Sequence, residues 1–248
     1  MTGTASVRRQ ATVGLRTTIT EFLREPVNLA LIVVLPPIVV ASYGSMMAAL
    51  PALPGMAASP ETMGAINGAM FVAAFLPGVI GLFQVISARR ADERLQLAGF
   101  RQSVLFLARS AAVLLASGVA AVFTMAILIA TVEVTAPVLA WAVLVLVGMT
   151  YGLVGMLVGS VLPRELEGSL LLVFVADLDE AMASGLFRTD ALLTKLLPLH
   201  FPHDVFTAAV DGGTLPVGDA LYAGTYAIVL LAVVFVVHGV LTGTGGGT

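Results

Sequence analysis

Long apolar runs are the feature of this sequence that most constrains its fold. A helix that crosses the ~30 Å hydrocarbon core of a bilayer needs about 20 apolar residues. Five stretches meet this requirement, and they cover residues 27–47, 63–86, 110–131, 138–162 and 221–241. Each of them predicts one membrane-spanning helix.

Composition supports a membrane protein and excludes several other classes. The 248 residues are 58% hydrophobic and 11% charged, whereas soluble domains are about 45–50% apolar and about 25% charged. A net charge of −3 does not suggest a nucleic-acid binder. The absence of cysteine excludes disulfides, thiolate metal sites and a cysteine nucleophile.

A sixth span, residues 168–187, is predicted from a less regular pattern. Its apolar run ends at Asp177, and Asp179 and Glu180 follow. With six spans both termini are cytoplasmic, and ten of the twelve Lys and Arg residues lie on the cytoplasmic side. The positive-inside rule supports this orientation, although it also tolerates five spans. We therefore expect one all-α transmembrane domain over residues 1–248.

Three segments outside the spans have patterns of their own. Residues 15–26 predict an amphipathic interfacial helix, ended by Pro26, with a solvent helix continuous with the first span as the alternative. Residues 89–103 are charged and predict a short cytoplasmic helix along the membrane, or simple anchoring by positive charge. Residues 188–220 are rich in leucine and interrupted by Pro198 and Pro202, so we expect two short helices that dip into the outer leaflet.

The order of these segments resembles the membrane-spanning permease of type 2 ATP-binding-cassette (ABC) transporters. The resemblance rests on an elbow helix ending in Arg24-Glu25-Pro26, on the charged segment Arg90-Ala-Asp-Glu-Arg-Leu-Gln-Leu, and on Ser184-Gly-Leu-Phe187 followed by Leu197-Pro-Leu-His-Phe-Pro202. The chain departs from the family pattern in three ways. The usual Thr-Pro after the coupling segment is absent, Arg109 replaces a lysine, and Arg188 stands where proline is common.

The resemblance implies half of a transport channel. The composition, which is rich in Ala, Val, Leu and Arg and contains one Lys, suggests a prokaryotic host, so we expect a prokaryotic cell membrane. Such permeases form homo- or heterodimers and are driven by a separate cytoplasmic ATPase that binds the ATP. This sequence contains no Gly-x-x-x-x-Gly-Lys-Ser/Thr motif of its own. The implied activity is export of a hydrophobic or amphipathic small molecule. The residues implied to contact the ATPase are Arg90, Asp92, Glu93, Arg94 and Arg101, with a minor contact through Arg164, Glu165 and Glu167.

The acidic residues of the sixth span are candidates for the translocation path. Spacing of i and i+3 places Asp177 and Glu180 on one helix face, and Asp179 points elsewhere. Ionisable residues at membrane depth usually face protein or water, so Asp177 and Glu180 could attract cations along a path. The alternatives are acids that reach the outer headgroups from a short span, or a buried pair with an arginine.

Glycines and histidines give weaker signals. One helical stripe is formed by Gly148, Gly152, Gly155 and Gly159. It predicts close helix packing, within one subunit in preference to the dimer seam. Prolines disturb the helical spacing of His200 and His203, so these residues do not predict a metal site. We expect them on the surface or in the re-entrant segment.

Two functions other than ABC transport remain open at the level of the sequence. One is a membrane scaffold that anchors a partner complex without transport. The other is a proton-coupled transporter that uses Asp177 and Glu180, although the chain lacks the inverted repeats common in such transporters. No catalytic motif or cofactor motif supports an intramembrane enzyme.

Overall fold

The structure is a computed structural model, and it describes residues 12–14, 16–17, 20, 24, 26–51, 59–97, 102–185 and 194–243. Within these ranges all regular secondary structure is helical. The helices, numbered here in chain order, are α1 (Pro26–Ala48), α2 (Pro60–Leu97), α3 (Gln102–Thr131), α4 (Pro137–Val161), α5 (Glu165–Ala183), α6 (His200–Asp211) and α7 (Val217–Gly243), with a 3₁₀ turn at Thr194–Leu196.

Five of these helices are long and apolar enough to cross a membrane. The candidate spans are Leu29–Ala48, Pro60–Arg89, Gln102–Thr131, Pro137–Val161 and Val217–Val237. The prediction of an all-helical fold with several helices that could span a membrane is therefore confirmed for the described residues. The predicted sixth span, α5, has 19 residues but is not among the five. Its three acidic residues near the C-terminal end interrupt the apolar run.

Helix α2 is the centre of the bundle and packs against α1, α3, α4 and α5. From Gly64 to Leu82 every residue of α2 except Phe75 is buried. Because lipid is as apolar as the helices themselves, close packing between small side chains holds such a bundle together. The burial of α2 on nearly all sides therefore makes it the helix that positions the others.

Glycines bring α2 and α4 into backbone contact. A Cβ atom built on Gly155 would lie 2.8 Å from the carbonyl carbon of Gly78, and one built on Gly81 would lie 3.0 Å from the carbonyl carbon of Gly152. Gly148 faces Ser117 of α3, and Gly159 faces Leu82 and Val85 of α2. The glycine stripe of α4 thus lies against two helices of the same chain.

The charged segment after the second span differs from the prediction of a separate short helix. Helix α2 continues without a break through the charged residues to Leu97. Residues 87–97 contain neither Gly nor Pro and consist mainly of strong helix formers, so no residue in the sequence ends the helix earlier. Of the predicted elbow, residues 16–17, 20, 24 and 26 are described and helical. The other residues of the elbow lie outside the described ranges.

Helix α6 lies across one end of the bundle, where it packs against α2, α4, α5 and α7. Its C-terminal end accepts two backbone hydrogen bonds from the residues before α4, from Thr135 N to Val210 O at 3.1 Å and from Ala136 N to Ala209 O at 2.8 Å. Gly212 ends the helix with a left-handed φ of 74°, which glycine adopts without steric cost. Of the two short helices predicted for residues 188–220, the described part of the chain contains one, α6, together with a single 3₁₀ turn.

Candidate functional site

The sequence-predicted site residues lie at opposite ends of the bundle. The acidic end is where α5 ends, and it carries Asp177, Asp179 and Glu180. The basic end is where α2 and α4 end, and it carries Arg89, Arg94 and Arg164. Consecutive long helices run antiparallel, so charges far apart in the sequence come together at each end.

Asp179 anchors the first turn of α6 at the acidic end. Its side chain is 1% exposed. Asp179 Oδ2 accepts a short hydrogen bond from the Tyr151 hydroxyl of α4 and a second from the backbone N–H of Leu199 at 3.1 Å. Leu199 is the N-cap residue of α6, where backbone N–H groups lack helical acceptors and a negative charge is favourable. One carboxylate thus joins α4, α5 and α6.

Glu180, the next residue, joins α5 to α2 and α6. It is 2% exposed, and its Oε1 lies 3.4 Å from His203 Nε2. With its amide nitrogen turned toward the cluster, Asn67 donates to Glu180 Oε1 at 3.3 Å and to the Met63 carbonyl at 3.1 Å. Both neighbours therefore donate to the same carboxylate oxygen.

His203 is buried at 8% exposure, contrary to its predicted place on the surface or in a loop. Burial lowers the pKa of the imidazole, but the carboxylates of Glu180, Asp204 and Asp179 together raise it by more, so the pKa of His203 stands above its usual value. The sequence did carry a signal for this burial. Leu199, His203, Phe206 and Val210 follow i, i+4, i+7 and i+11 spacing and form the buried face of α6.

We name the residues Asn67, Tyr151, Asp179, Glu180 and His203 the buried cluster. Two of its oxygen atoms, Asp179 Oδ1 and Glu180 Oε2, are buried and have no hydrogen-bond partner among the described residues. The acids are bonded to a tyrosine, an amide, a backbone N–H and a histidine; no arginine of the described ranges pairs with them. Two carboxyls and one imidazole in such surroundings can hold protons and can lock α6 onto the bundle.

Asp177 has different surroundings from the other two acids. It is exposed, and its Oδ1 accepts a hydrogen bond from the Tyr43 hydroxyl of α1 at 2.8 Å. Tyr43 stacks on Phe71, with ring centroids 5.8 Å apart, and Phe71 stacks on Phe75 at 5.7 Å. We name Tyr43, Phe71, Phe75, Phe174 and Asp177 the lateral groove. Of the two predicted path residues, Asp177 therefore lies on a surface and Glu180 lies in the packed interior.

At the basic end, two arginines bind helix backbones. The Arg89 guanidinium Nη2 donates to the carbonyls of Gly159 at 2.6 Å, Ser160 at 3.3 Å and Leu162 at 3.4 Å. These groups are at the C-terminal end of α4, whose last carbonyls lack intrahelical partners. The buried Arg109 donates a short hydrogen bond to the Gln84 carbonyl of α2. Arg89 and Arg109 therefore tie α2 to α4 and α3.

The structure describes only part of the predicted ATPase contact. Arg94 is exposed, and Arg164 pairs with Glu167 at 3.0 Å on the surface; Glu165 is exposed beside them. The side chains of Arg90, Asp92 and Glu93, and all of Arg101, lie outside the described residues.

Comparisons with known proteins do not supply a function. No family model matches the chain, and no curated protein matches it. Among the described residues, no three His, Asp or Glu side chains are grouped so that they could hold a metal ion. The features of the molecule that bear on function are therefore the two ends of the bundle and the lateral groove.

Proposed function

We propose that this chain is the membrane-spanning subunit of an ATP-driven exporter, energised by a separate cytoplasmic ATPase and paired with a second permease subunit. The proposal rests on the resemblance of its segments to type 2 ABC permeases. One structural observation carries it furthest: α2 extends eight residues beyond its span, from Arg90 to Leu97, as a charged helix.

This extension has the properties of a lever. At a rise of 1.5 Å per residue, eight residues project about 12 Å past the apolar span. The Arg89 side chain holds the base of the extension against the end of α4, and α2 packs most extensively on α1, α3, α4 and α5. A partner that pushes on residues 90–97 would therefore move the centre of the bundle as one body. In this way a conformational change in the ATPase would reach the transport path.

The lateral groove supports a transport path on the opposite half of the molecule. An exposed carboxylate at membrane depth is costly, and such residues usually face water or another protein chain. We propose that Asp177, an exposed carboxylate beside the apolar residues of α5, lies at this depth, and that the path and the seam with the second subunit run along the lateral groove. Glu180 has no place in that path because it is buried against α6.

The first test is capture of the assembled complex. The full chain is purified from its native membranes in a mild detergent, and co-purifying chains are identified by mass spectrometry. We expect a near-stoichiometric ATPase with a Walker motif. Absence of any ATPase, including after crosslinking, would contradict the proposal.

A second test probes the contact itself. In the captured complex, Glu93→Ala with Arg94→Ala should leave basal ATP hydrolysis intact and abolish its coupling to transport. Arg164→Ala with Glu167→Ala is the matched control, since it removes an equal number of charges from the minor contact at the same end. Wild-type coupling in the first double variant would refute the assignment of the contact.

Proton-coupled transport is the second candidate, and the buried cluster favours it. Its two unpartnered carboxylate oxygens give the molecule groups that can hold protons. In sealed vesicles without ATP, this candidate predicts uptake driven by a pH gradient and loss of uptake in Glu180→Gln. A membrane scaffold predicts neither this activity nor transport-linked ATP hydrolysis.

A further inference from the structure

The lateral groove is open because α1 and α5 both pack on α2 without packing on each other. Among the described residues, no Cα atom of α1 lies within 8 Å of one in α5. The gap is bridged by the hydrogen bond from Tyr43 to Asp177. Phe75 forms the floor of the groove, because it is the one residue of α2 between Gly64 and Leu82 that is not fully buried. The floor is therefore aromatic.

One wall of the groove is an apolar stripe that leads to the carboxylate. Leu170, Phe174 and Asp177 follow i, i+4 and i+7 spacing and therefore share a face of α5. Leu170 and Phe174 are 62% and 66% exposed. A ligand in the groove would contact hydrocarbon along most of its length and a negative charge at one end.

The charge at that end is not neutralised by the described part of the chain. Tyr43 donates to only one carboxylate oxygen of Asp177, and no described Lys or Arg forms an ion pair with Asp177. Asp177 shares a face of α5 with exposed apolar residues, and an ionised carboxylate beside hydrocarbon is costly. A cation that accompanies the carboxylate reduces this cost.

The aromatic floor favours the same kind of ligand. Cations are attracted to the faces of aromatic rings, and the attraction increases when the site excludes water. The Tyr43, Phe71 and Phe75 rings form a continuous stack that begins at the hydrogen bond to Asp177. Phe71 covers one face each of Tyr43 and Phe75, so the opposite face of each outer ring is the one that a cation near Asp177 could contact.

We propose that the lateral groove binds hydrophobic organic cations, with the positive centre at Asp177 and the apolar groups against Phe75 and Phe174. This inference deepens the proposed function, since it names the substrate class of the exporter. Binding itself requires no ATPase, so it can be tested on the purified chain.

The probe is tetraphenylphosphonium, and its control is tetraphenylborate, an anion of nearly the same size and shape. Binding of each is measured by equilibrium dialysis with the full chain in a detergent that has an uncharged head group. We expect saturable binding of the phosphonium and at least about tenfold weaker binding of the borate, which corresponds to about 1.4 kcal/mol. Equal binding of the two ions would overturn the proposal.

Two variants identify the site. Asp177→Asn keeps an acceptor for the Tyr43 hydroxyl but removes the charge, so we expect about a tenfold loss of phosphonium affinity. Phe75→Leu keeps an apolar floor without a ring, and we expect a several-fold loss. Asp211→Asn is the matched control, because Asp211 is an exposed acid at the far end of α6. If Asp211→Asn weakens binding as much as Asp177→Asn does, the proposal is wrong.

A second measurement does not depend on the Asp177 variant folding. The chain has no cysteine, so Phe174→Cys introduces a single thiol on the groove wall, and Val229→Cys introduces one on an exposed face of α7. The phosphonium should slow maleimide labelling of the first thiol and leave the second unchanged. Equal rates at Phe174→Cys with and without the phosphonium would contradict the site.

Failure of this inference can be separated from failure of the proposed function. If an ATPase co-purifies but the phosphonium does not bind, the exporter stands and its substrate class is wrong. If the phosphonium binds and no ATPase is found, the groove is a cation site in a protein of another class.

Discussion

Replacement of Gly155 by alanine tests the crossing of α2 and α4 that organises the whole bundle. The added methyl group would lie 2.8 Å from the carbonyl carbon of Gly78 and 3.1 Å from its Cα. Both opposing atoms belong to the backbone, so no side chain can rotate away and the two helices must move apart.

The size of the effect follows from two opposing terms. Overpacking in a close-packed interior costs about 1–3 kcal/mol, and a backbone contact places Gly155 near the upper end of this range. Alanine also favours a helix over glycine by about 1 kcal/mol. We therefore expect Gly155→Ala to lower the free energy of unfolding by about 2 kcal/mol.

The assay is unfolding of the purified chain in mixed micelles of increasing SDS fraction, followed by circular dichroism. Gly118→Ala is the control, since Gly118 lies inside α3 and a Cβ there would meet no atom within 4 Å. That variant retains only the helix-propensity gain and should equal or exceed the wild type in stability. If Gly155→Ala were as stable as Gly118→Ala, the reasoning on the α2–α4 contact would be refuted.

Three further predictions concern the two ends of the bundle. In the same unfolding assay, wild type should lose more stability than His203→Gln as the pH rises from about 6 to 9. Because the pKa of His203 is raised in the folded state, its pairing with Glu180 contributes its full stabilisation below a pH of about 6.5. This stabilisation is lost as the pH rises through the pKa of His203 in the folded protein. Parallel curves of unfolding free energy against pH for wild type and His203→Gln would contradict this. Asp179→Ala leaves the Leu199 N–H and the Tyr151 hydroxyl buried without an acceptor, which costs about 1–3 kcal/mol for each group. We therefore expect α6 to undock from the bundle. A thiol introduced by Ala209→Cys should then react faster with maleimide in the Asp179→Ala protein than in the protein that carries Ala209→Cys alone. Arg89→Ala removes the cation from the C-terminal carbonyls of α4 and should destabilise the fold by about 1–2 kcal/mol; Arg94→Ala, on the exposed extension, should change stability by less than about 0.5 kcal/mol.

The membrane-spanning helices could be predicted from the sequence with good accuracy. The predicted first run ends at residue 47 and α1 ends at Ala48; the predicted fourth run covers 138–162 and α4 covers Pro137–Val161. The agreement has a physical cause. In lipid each spanning helix must satisfy its own backbone hydrogen bonds, so length and hydropathy suffice to place it.

The partners of the polar residues could not be predicted in this way. The sequence placed His203 outside the core and grouped Glu180 with Asp177, yet Glu180 is buried against His203 and Asn67 while Asp177 lies at the surface. A helical period states which residues share a face. Helical spacing does not predict which other helix packs on that face. Here α6, which comes later in the chain, covers only one side of α5.

The sequence by itself determined that this chain forms long apolar helices that could span a membrane, because helix length and hydropathy depend on local composition. The tertiary structure alone decided which acid is buried, which is exposed and where a groove remains between α1 and α5. Those outcomes depend on how closely helices distant in the sequence approach one another. The approach of α2 to α4 is set by four glycines. The position of α6 is set by the hydrogen bond that the Leu199 N–H donates to Asp179 and by the pairing of His203 with Glu180.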